Sequence, residues 1–295
     1  MVATSRMRRE GEDPMLPEDF QFSQASLQDF VDCPRRFKLR YLDRLSWPAV
    51  VSEPVEAQER RMALGASFHR LVQQHVAGVP ESLIGNQVDD PQLRMWWENY
   101  MTVRPIAALV GVEPAPVVHS EVALSCWIGT HRLIAKLDVL AVVPGKRCVI
   151  IDWKTSQRRP RDRVLESRLQ TRVYPYVVAE ALPAMGERYR LDLEQIEMIY
   201  WFPSAPEHPF RLTYSTAQHH ATRALLEELI QQIEAPGESF PMTEDVGLCR
   251  LCRYRSYCAR GGPAGLADPS VEVEMEEDDL DGFDIDFDQV AEVEL

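Results

Sequence analysis

The chain has 295 residues, of which 45% are hydrophobic and 26% are charged, proportions that are typical of a globular protein. It contains no run of about 20 apolar residues, which excludes a membrane helix, and its first residues lack the apolar core of a secretory signal. We therefore expect a cytoplasmic protein without membrane partners. The net charge of -14 is uneven, because thirteen of the 46 acidic residues lie between 268 and 295 and the rest of the chain is nearly neutral.

The N-terminal third of the chain predicts helices. Residues 1–20 are polar and contain prolines, so we predict that they are disordered. Ser26 and Asp29 have the spacing of a capping box, and Pro34 should interrupt the helix that they start before it resumes over 35–45. Apolar residues at helical spacing predict further helices over 56–76 and 93–109.

Beyond residue 116 the apolar pattern becomes strand-like. Runs rich in Val, Ile and Leu predict three strands with short turns between them, over 117–127, 131–143 and 148–153. The pattern then predicts a helix over 164–181, strands over 194–202 and 210–214, and a helix over 216–233. This order indicates an α/β fold with a central mixed β-sheet flanked by helices.

Two carboxylates and a lysine lie where adjacent strands would bring them together. Asp138 lies within one predicted strand, Asp152 ends the next, and Lys154 follows two residues later on the same face. A hard divalent cation requires such paired carboxylates, and it can lower the pKa of a bound water beside the lysine. An ordinary surface hairpin is the alternative, although acidic residues inside apolar runs are rarely buried without a partner.

This arrangement resembles the PD-(D/E)XK nucleases, in which an Asp on one strand precedes an (Asp/Glu)-x-Lys element on the next. Further motifs resemble the RecB-like branch of that superfamily, which includes the RecB and AddB nuclease domains and CRISPR-associated exonucleases. They are Gly65 with His69, Gln170 with Tyr174, and the Cys33-Pro34-Arg35-Arg36-Phe37 segment. The resemblance covers roughly residues 20–262, and it departs from the family at Ala135, where a glycine is usual.

The resemblance implies roles for the site residues. Asp138, Asp152 and Lys154 would be catalytic, with Gln170 and Tyr174 bordering the site from one face of a helix. The metal, Mg²⁺ or Mn²⁺, would be held by the side chains of His69, Asp138 and Asp152 and by the Trp153 carbonyl. Glu121 on the preceding strand is a further candidate near the metal. The implied fold is a restriction-endonuclease-like α/β core.

Four of the six cysteines form a pattern that is typical of metal or cluster binding. Cys249, Cys252 and Cys258 have the spacing Cys-x2-Cys-x5-Cys, and Cys33 is the candidate for a fourth ligand. This pattern resembles the RecB-like nucleases that hold a [4Fe–4S] cluster, which would join the N- and C-terminal segments. Zinc also accepts four cysteines, but the resemblance favours the cluster. Cys126 and Cys148 lie singly in apolar runs and are assigned to the core.

Basic residues predict a nucleic-acid surface. We expect DNA phosphates to contact five arginines, namely Arg35, Arg36, Arg158, Arg159 and Arg161. A solvated surface is the alternative for these residues. The resemblance implies a DNA exonuclease or flap-type nuclease that acts on single-stranded ends in repair, recombination or CRISPR-type processing, with a possible helicase or CRISPR/repair partner protein.

Two other functions stay open at this stage. One is a DNA-binding iron–sulfur scaffold subunit of a helicase–nuclease complex, and the other is a zinc-stabilised protein unrelated to nucleic acid. The predicted organisation is a disordered N-terminus (1–20), a nuclease domain with its iron–sulfur site (21–265) and an acidic disordered tail (266–295). That tail could cover the basic surface or recruit a partner.

Overall fold

The structure is a computed structural model that describes residues 16–17, 19–45, 53–111, 115–156, 158–235, 240–249, 252 and 254–260. Its strands are β1 (Gln21–Ser23), β2 (Val117–Ile128), β3 (His131–Val143), β4 (Arg147–Trp153), β5 (Ile196–Trp201) and β6 (Phe210–Thr213). Its α-helices are α1 (Gln24–Asp32), α2 (Pro34–Phe37), α3 (Glu53–Val76), α4 (Glu81–Gly85), α5 (Pro91–Val103), α6 (Pro105–Val110), α7 (Asp162–Ser167), α8 (Leu169–Ala181) and α9 (Thr216–Glu234).

The strands form one mixed sheet centred on β3. Strand β2 pairs with β3 along its whole length in antiparallel orientation. On the opposite edge of β3, β1 pairs in parallel with Arg132–Ile134 and β4 pairs antiparallel with Val139–Val143. Strand β5 then joins β4 in parallel, and β6 joins β5 antiparallel. The central mixed sheet flanked by helices that the sequence predicts is therefore confirmed.

Helices cover both faces of this sheet. One apolar cluster packs α1, α8 and α9 against one face, and its members include Leu27, Val177 and Leu226. A second cluster packs α3, α5 and α6 against the other face. Because apolar side chains from both faces of β4 and β5 are buried, these strands contain nearly continuous apolar runs.

Several helix predictions were wrong in detail. The capping box belongs to Ser23, whose side chain accepts from the Ser26 amide, so α1 begins earlier than Ser26. The helix predicted over 93–109 divides at Arg104, which adopts a left-handed φ of 50° before Pro105. The helix predicted over 164–181 divides at Arg168, which is extended. After the break at Cys33, α2 runs into a π-helix over Lys38–Leu42 that ends before residue 45.

Most of both terminal segments lies outside the residues that the structure describes. Residues 1–15 and 261–295 lie outside the described residues, so the predictions of a disordered N-terminus and of a disordered acidic tail stay predictions. The described part starts at Leu16, which packs with Phe20 against the core. In the portion of the chain that the structure covers, no helix is long and apolar enough to cross a bilayer.

Candidate active site

The site lies where the central strands separate. Val139 and Ile151 are the last paired residues of β3 and β4 at this end of the pairing. Beyond them, β4 donates a hydrogen bond to the side chain of Asp138 instead of to the backbone of β3. Asp138 Oδ2 accepts this hydrogen bond of 2.8 Å from the Trp153 amide. The pleat of β3 also changes phase here, since Leu137 and Val139 pack in the clusters on opposite faces of the sheet. A carboxylate thus enters the middle of an apolar sheet with its charge hydrogen bonded.

Helix α3 brings His69 to this carboxylate. The imidazole Nδ1 lies 3.2 Å from Asp138 Oδ1, and Nε2 lies 3.2 Å from the Trp153 carbonyl oxygen. Phe68, the preceding residue, stacks on Trp201 of β5 and fixes this turn of the helix on the sheet. One turn earlier, a Cβ at Gly65 would lie 2.7 Å from Thr155 Oγ1, so only glycine allows this approach.

Glu121 on β2 completes a group of three cation ligands. The ligand atoms of His69, Glu121 and Asp138 all lie within 4.8 Å of one another. Glu121 and Asp138 lie between the pairs Ser120–Val139 and Val122–Leu137 and are not themselves paired in the register. Glu121 has a left-handed φ of 52° that is unusual within a strand. Its carboxylate also pairs with Lys136 Nζ at 2.6 Å. The structure brings the Glu121 carboxylate beside His69 and Asp138, and its role as a neighbour of the metal stays a prediction.

Asp152, the last carboxylate, is held from two sides. Its Oδ1 accepts a hydrogen bond of 2.8 Å from the Gln170 side-chain amide on α8, and its Oδ2 lies 2.9 Å from Lys154 Nζ. All three side chains are buried. The Lys154 backbone donates to the Trp201 carbonyl, which extends the β4–β5 pairing and holds the lysine beside the aspartate.

The surroundings of the site shift the pKa values of Asp138 and Asp152 in opposite directions. Burial raises the pKa of Asp152 to about 6, with the charge of Asp138 acting in the same direction. Burial also acts on Asp138, but His69 and the Trp153 amide outweigh it and hold the pKa of Asp138 below its usual value. Burial lowers the pKa of Lys154. Two neighbouring carboxylates therefore differ in how readily they take up a proton.

The proton on His69 is stabilised by its surroundings. Burial lowers the pKa of His69, but the charge and hydrogen bond of Asp138 prevail and raise it to about 9. Both ring nitrogens face oxygen acceptors, which suits the protonated imidazolium. A cation bound at this position would compete with that proton.

Tyr174 and Gln170 lie one turn apart on α8 and face the same site. Burial, followed by the charge of Asp152, raises the pKa of Tyr174 well above its usual value, so its hydroxyl stays protonated. The carboxylates, the imidazole and the Trp153 carbonyl provide oxygen and nitrogen ligands, which fit Mg²⁺ or Mn²⁺. A bound cation of this kind polarises a phosphoryl oxygen and lowers the pKa of a coordinated water. The role of each residue stays a prediction.

The predicted DNA contacts have different environments. Arg36 is buried and forms ion pairs with Asp29 (2.7 Å) and Asp32 (2.6 Å), so its guanidinium is directed into the protein. Arg35 is half-buried beside it. The remaining three, Arg158, Arg159 and Arg161, follow Lys154 in the chain. Arg158 and Arg161 are exposed, whereas Arg159 is half-buried and donates to the His208 carbonyl and to Asp162.

The four cysteines of the predicted cluster come from the two ends of the described chain. The Thr243 amide approaches Cys33 Sγ at 3.4 Å, and Arg260 approaches Cys249 Sγ at 3.6 Å. The backbone amide of Arg35 donates to the Pro241 carbonyl and so joins the same two segments. Cys252 and Cys258 are half-buried, whereas Cys126 and Cys148 are buried within strands.

Comparison with known proteins identifies the family. The model of the PD-(D/E)XK nuclease superfamily matches residues 21–259. The chain belongs to this superfamily. No curated protein matches the chain.

One crystal structure with a similar architecture agrees with this fold, and a second one is less similar. The crystal structure of a "putative exonuclease" from Eubacterium rectale aligns over 88% of this chain and 94% of its own length, with a TM-score of 0.51 and 10% identity. The crystal structure of SSO0001 aligns over 79% of this chain and 84% of its own length, with a TM-score of 0.36 and 12% identity. PD-(D/E)XK nucleases use divalent metals, and His69, Glu121 and Asp138 form a group in this chain that could hold one.

Sequence reasoning missed two residues of this nuclease site. Tyr200 on β5 is paired in register with Asp152, and its hydroxyl donates to Gln170 Oε1 at 3.2 Å. The Arg168 guanidinium is buried above the Tyr200 ring, with its Cζ 5.7 Å from the ring centroid. No local pattern could reveal Tyr200, because an aromatic residue in an apolar strand is typical of a core position.

Proposed function

We propose that the chain is a Mg²⁺- or Mn²⁺-dependent deoxyribonuclease of the RecB-like branch that acts on single-stranded DNA ends as an exonuclease or flap-type enzyme. The observation that carries the proposal is the convergence of Asp138, Asp152 and Lys154 with His69 from one helical layer and Gln170 from the other. The Gly65–His69 and Gln170–Tyr174 motifs, which favour the RecB-like branch, both lie at this point.

In this proposal, each residue of the site would have a distinct role in metal binding or catalysis. Asp138 and Asp152 would hold the cation, with His69 and the Trp153 carbonyl on the side of α3. Lys154 would stabilise the attacking water or the negative charge that develops on the phosphoryl group. Gln170 would orient Asp152, since a hydrogen bond to one carboxylate oxygen limits its rotation.

Exposed arginines after the catalytic lysine support a phosphate-binding role. Arg158 and Arg161 lie between Lys154 and the helix that carries Gln170, in a segment that a DNA backbone would cross on its way to the site. Phosphate contacts carry no sequence information, so we propose weak sequence specificity. Replacing Arg161 with Ala should lower the salt dependence of DNA affinity by about one charge.

We also propose a [4Fe–4S] cluster at Cys33, Cys249, Cys252 and Cys258. Burial raises the pKa of Cys252, and the charges of Cys33 and Cys249 act in the same direction, so these three thiols are neighbours. The Cys-x2-Cys-x5-Cys spacing with a distant fourth cysteine supports the cluster. Reduced thiols of this kind persist in a cytoplasmic compartment.

The decisive experiment measures cleavage of end-labelled single- and double-stranded DNA with Mg²⁺ or Mn²⁺. Asp152→Asn should abolish cleavage and preserve DNA binding, because it keeps the shape of the side chain and removes its charge. Asp89→Asn is the matched control, since Asp89 is exposed and lies outside the site. If folded wild-type protein binds DNA and metal without cutting, the nuclease proposal is wrong and a scaffold subunit of a helicase–nuclease complex takes its place.

The cluster proposal has a separate test. Protein purified without oxygen should be brown and contain about four iron atoms per chain, as a [4Fe–4S] centre requires. Cys249→Ser should lose the visible absorption and the iron, whereas Cys126→Ser should keep both, because Cys126 is buried in β2 and is not one of the four proposed ligands. Colourless protein that contains zinc would contradict the proposal.

A further inference from the structure

Tyr200 begins a chain of hydrogen bonds that ends on the catalytic carboxylate. It is fully buried on β5, where the parallel register sets it beside Asp152. Its hydroxyl donates to Gln170 Oε1 at 3.2 Å, and Gln170 Nε2 donates to Asp152 Oδ1 at 2.8 Å. Thr171 donates its own hydroxyl proton to the Leu165 carbonyl, so its Oγ1, 2.8 Å from the Tyr200 oxygen, is a second acceptor for the Tyr200 proton beside Gln170. The Tyr200 hydroxyl therefore reaches Asp152 through one side chain.

We propose that Tyr200 is a positioning residue of the nuclease site, which fixes the Gln170 amide and through it the orientation of Asp152. This inference rests on the proposed metal-dependent nuclease function. A carboxylate accepts hydrogen bonds only, so Gln170 must present its amino group to Asp152 and its carbonyl to the other side. The Tyr200 hydroxyl provides the donor that this buried carbonyl needs.

Removing the Tyr200 hydroxyl would leave the buried Gln170 carbonyl without this hydrogen-bond donor. A buried carbonyl without a hydrogen bond is destabilised by about 1–3 kcal/mol. Gln170 would then turn its carbonyl towards another donor and release Asp152 Oδ1. Because the two oxygens of Asp152 are divided between Gln170 and Lys154, loss of one contact frees the carboxylate to rotate away from the position in which it holds a cation.

The Tyr200 ring makes a second contact with the site. Lys154 Nζ lies 5.3 Å from its centroid, and Arg168 Cζ lies 5.7 Å from it. The face of an aromatic ring attracts cations, so the ring supports the ammonium group that faces Asp152. Tyr200→Phe keeps the ring and removes the hydroxyl, and it therefore tests the hydrogen bond alone.

Tyr176→Phe is a matched control. Tyr176 is also fully buried, on α8, and stacks on His219. Its hydroxyl has no hydrogen-bond partner among the residues that the structure describes. Both substitutions remove one buried phenolic oxygen, but only the change at Tyr200 affects the chain to Asp152.

The experiment measures Mn²⁺ binding by calorimetry without DNA and cleavage rates over a range of Mn²⁺ concentrations. Loss of a residue that orients a metal ligand weakens metal affinity by roughly 10–100-fold. Tyr200→Phe should therefore bind Mn²⁺ at least about tenfold more weakly, with cleavage partly restored by high Mn²⁺. Tyr176→Phe should match wild type. Because Tyr200 acts through Gln170, Gln170→Ala should be no further weakened when Tyr200→Phe is added.

Two results would overturn the inference. Tyr200→Phe could bind Mn²⁺ and cut DNA as wild type does, or its effect could multiply with that of Gln170→Ala. Either result in an active wild-type enzyme would leave the nuclease function intact and exclude the role of Tyr200. A wild-type protein that neither binds Mn²⁺ nor cuts DNA would overturn both proposals.

Discussion

The close approach of Gly65 on α3 to Thr155 can be tested by adding one methyl group to Gly65. In the variant Gly65→Ala, the new Cβ would lie 2.7 Å from Thr155 Oγ1, whereas ordinary van der Waals contact begins at 3.4 Å. The helix or the Thr155 segment must therefore move by about 0.7 Å, the difference between these distances. Overpacking of this kind destabilises a fold by about 1–3 kcal/mol.

The same movement should reach His69, which lies one helical turn further along α3. Its Nδ1 is 3.2 Å from Asp138 Oδ1, so a displacement of this size would break the contact. A misplacement of about 1 Å can lower a catalytic rate about 100-fold. We therefore expect Gly65→Ala to lose about 1–3 kcal/mol of stability and most of its cleavage activity.

Denaturant unfolding and DNA cleavage would measure the two effects on the same protein. Gly85→Ala is the control, because nothing lies within 4 Å of its Cβ, and it should be neutral or stabilising by up to about 1 kcal/mol. Adding Thr155→Ala to Gly65→Ala removes the opposing oxygen and should restore stability. A Gly65→Ala protein with the stability and activity of wild type would refute the steric reasoning, as would a double variant that recovers nothing.

The remaining predictions concern the charges. Calorimetric Mn²⁺ affinity should rise with pH, first as Asp152 loses its proton near pH 6 and again towards pH 9, where cation binding no longer has to displace the proton of His69. An Mn²⁺ affinity that does not change between pH 5 and pH 9 would contradict this prediction. Arg36→Ala should lower the free energy of unfolding by about 1–3 kcal/mol, because Asp29 stays buried and loses one of its two arginine partners, keeping only Arg40 at 3.0 Å. If only DNA affinity falls, Arg36 is a DNA contact. Glu121→Gln should weaken Mn²⁺ binding without loss of folding, and equal affinity would remove Glu121 from the ligand set.

The sequence predicts the sheet well because its signals are local. The turns at Gly129 and Gly145 and the apolar runs between them predict β2, β3 and β4 to within a residue or so. Asp138 and Asp152 could be paired in advance, since only a short hairpin separates their strands. The iron–sulfur assignment and the site roles depend on resemblance and stay predictions.

Other features were missed for different reasons. The break at Arg104 was visible in the sequence, because Pro105 disfavours helical backbone in the residue before it, but the left-handed φ of Arg104 was not. The role of Tyr200 depends on the parallel register between strands far apart in the chain. The ion pairs of Arg36 with Asp29 and Asp32 join two helices across the break at Cys33, so helical spacing alone does not predict them.

The two helical layers contact the carboxylates from opposite faces of the sheet, His69 from α3 and Gln170 from α8. A cation bound at Asp138 and Asp152 would therefore couple local unfolding of one helical layer to local unfolding of the other. Amide hydrogen exchange should slow together in both helices when Mn²⁺ is added, although the helices lie in separate apolar clusters. With metal bound, the two helical layers would therefore unfold locally as one cooperative unit. Without metal, they would unfold locally as two.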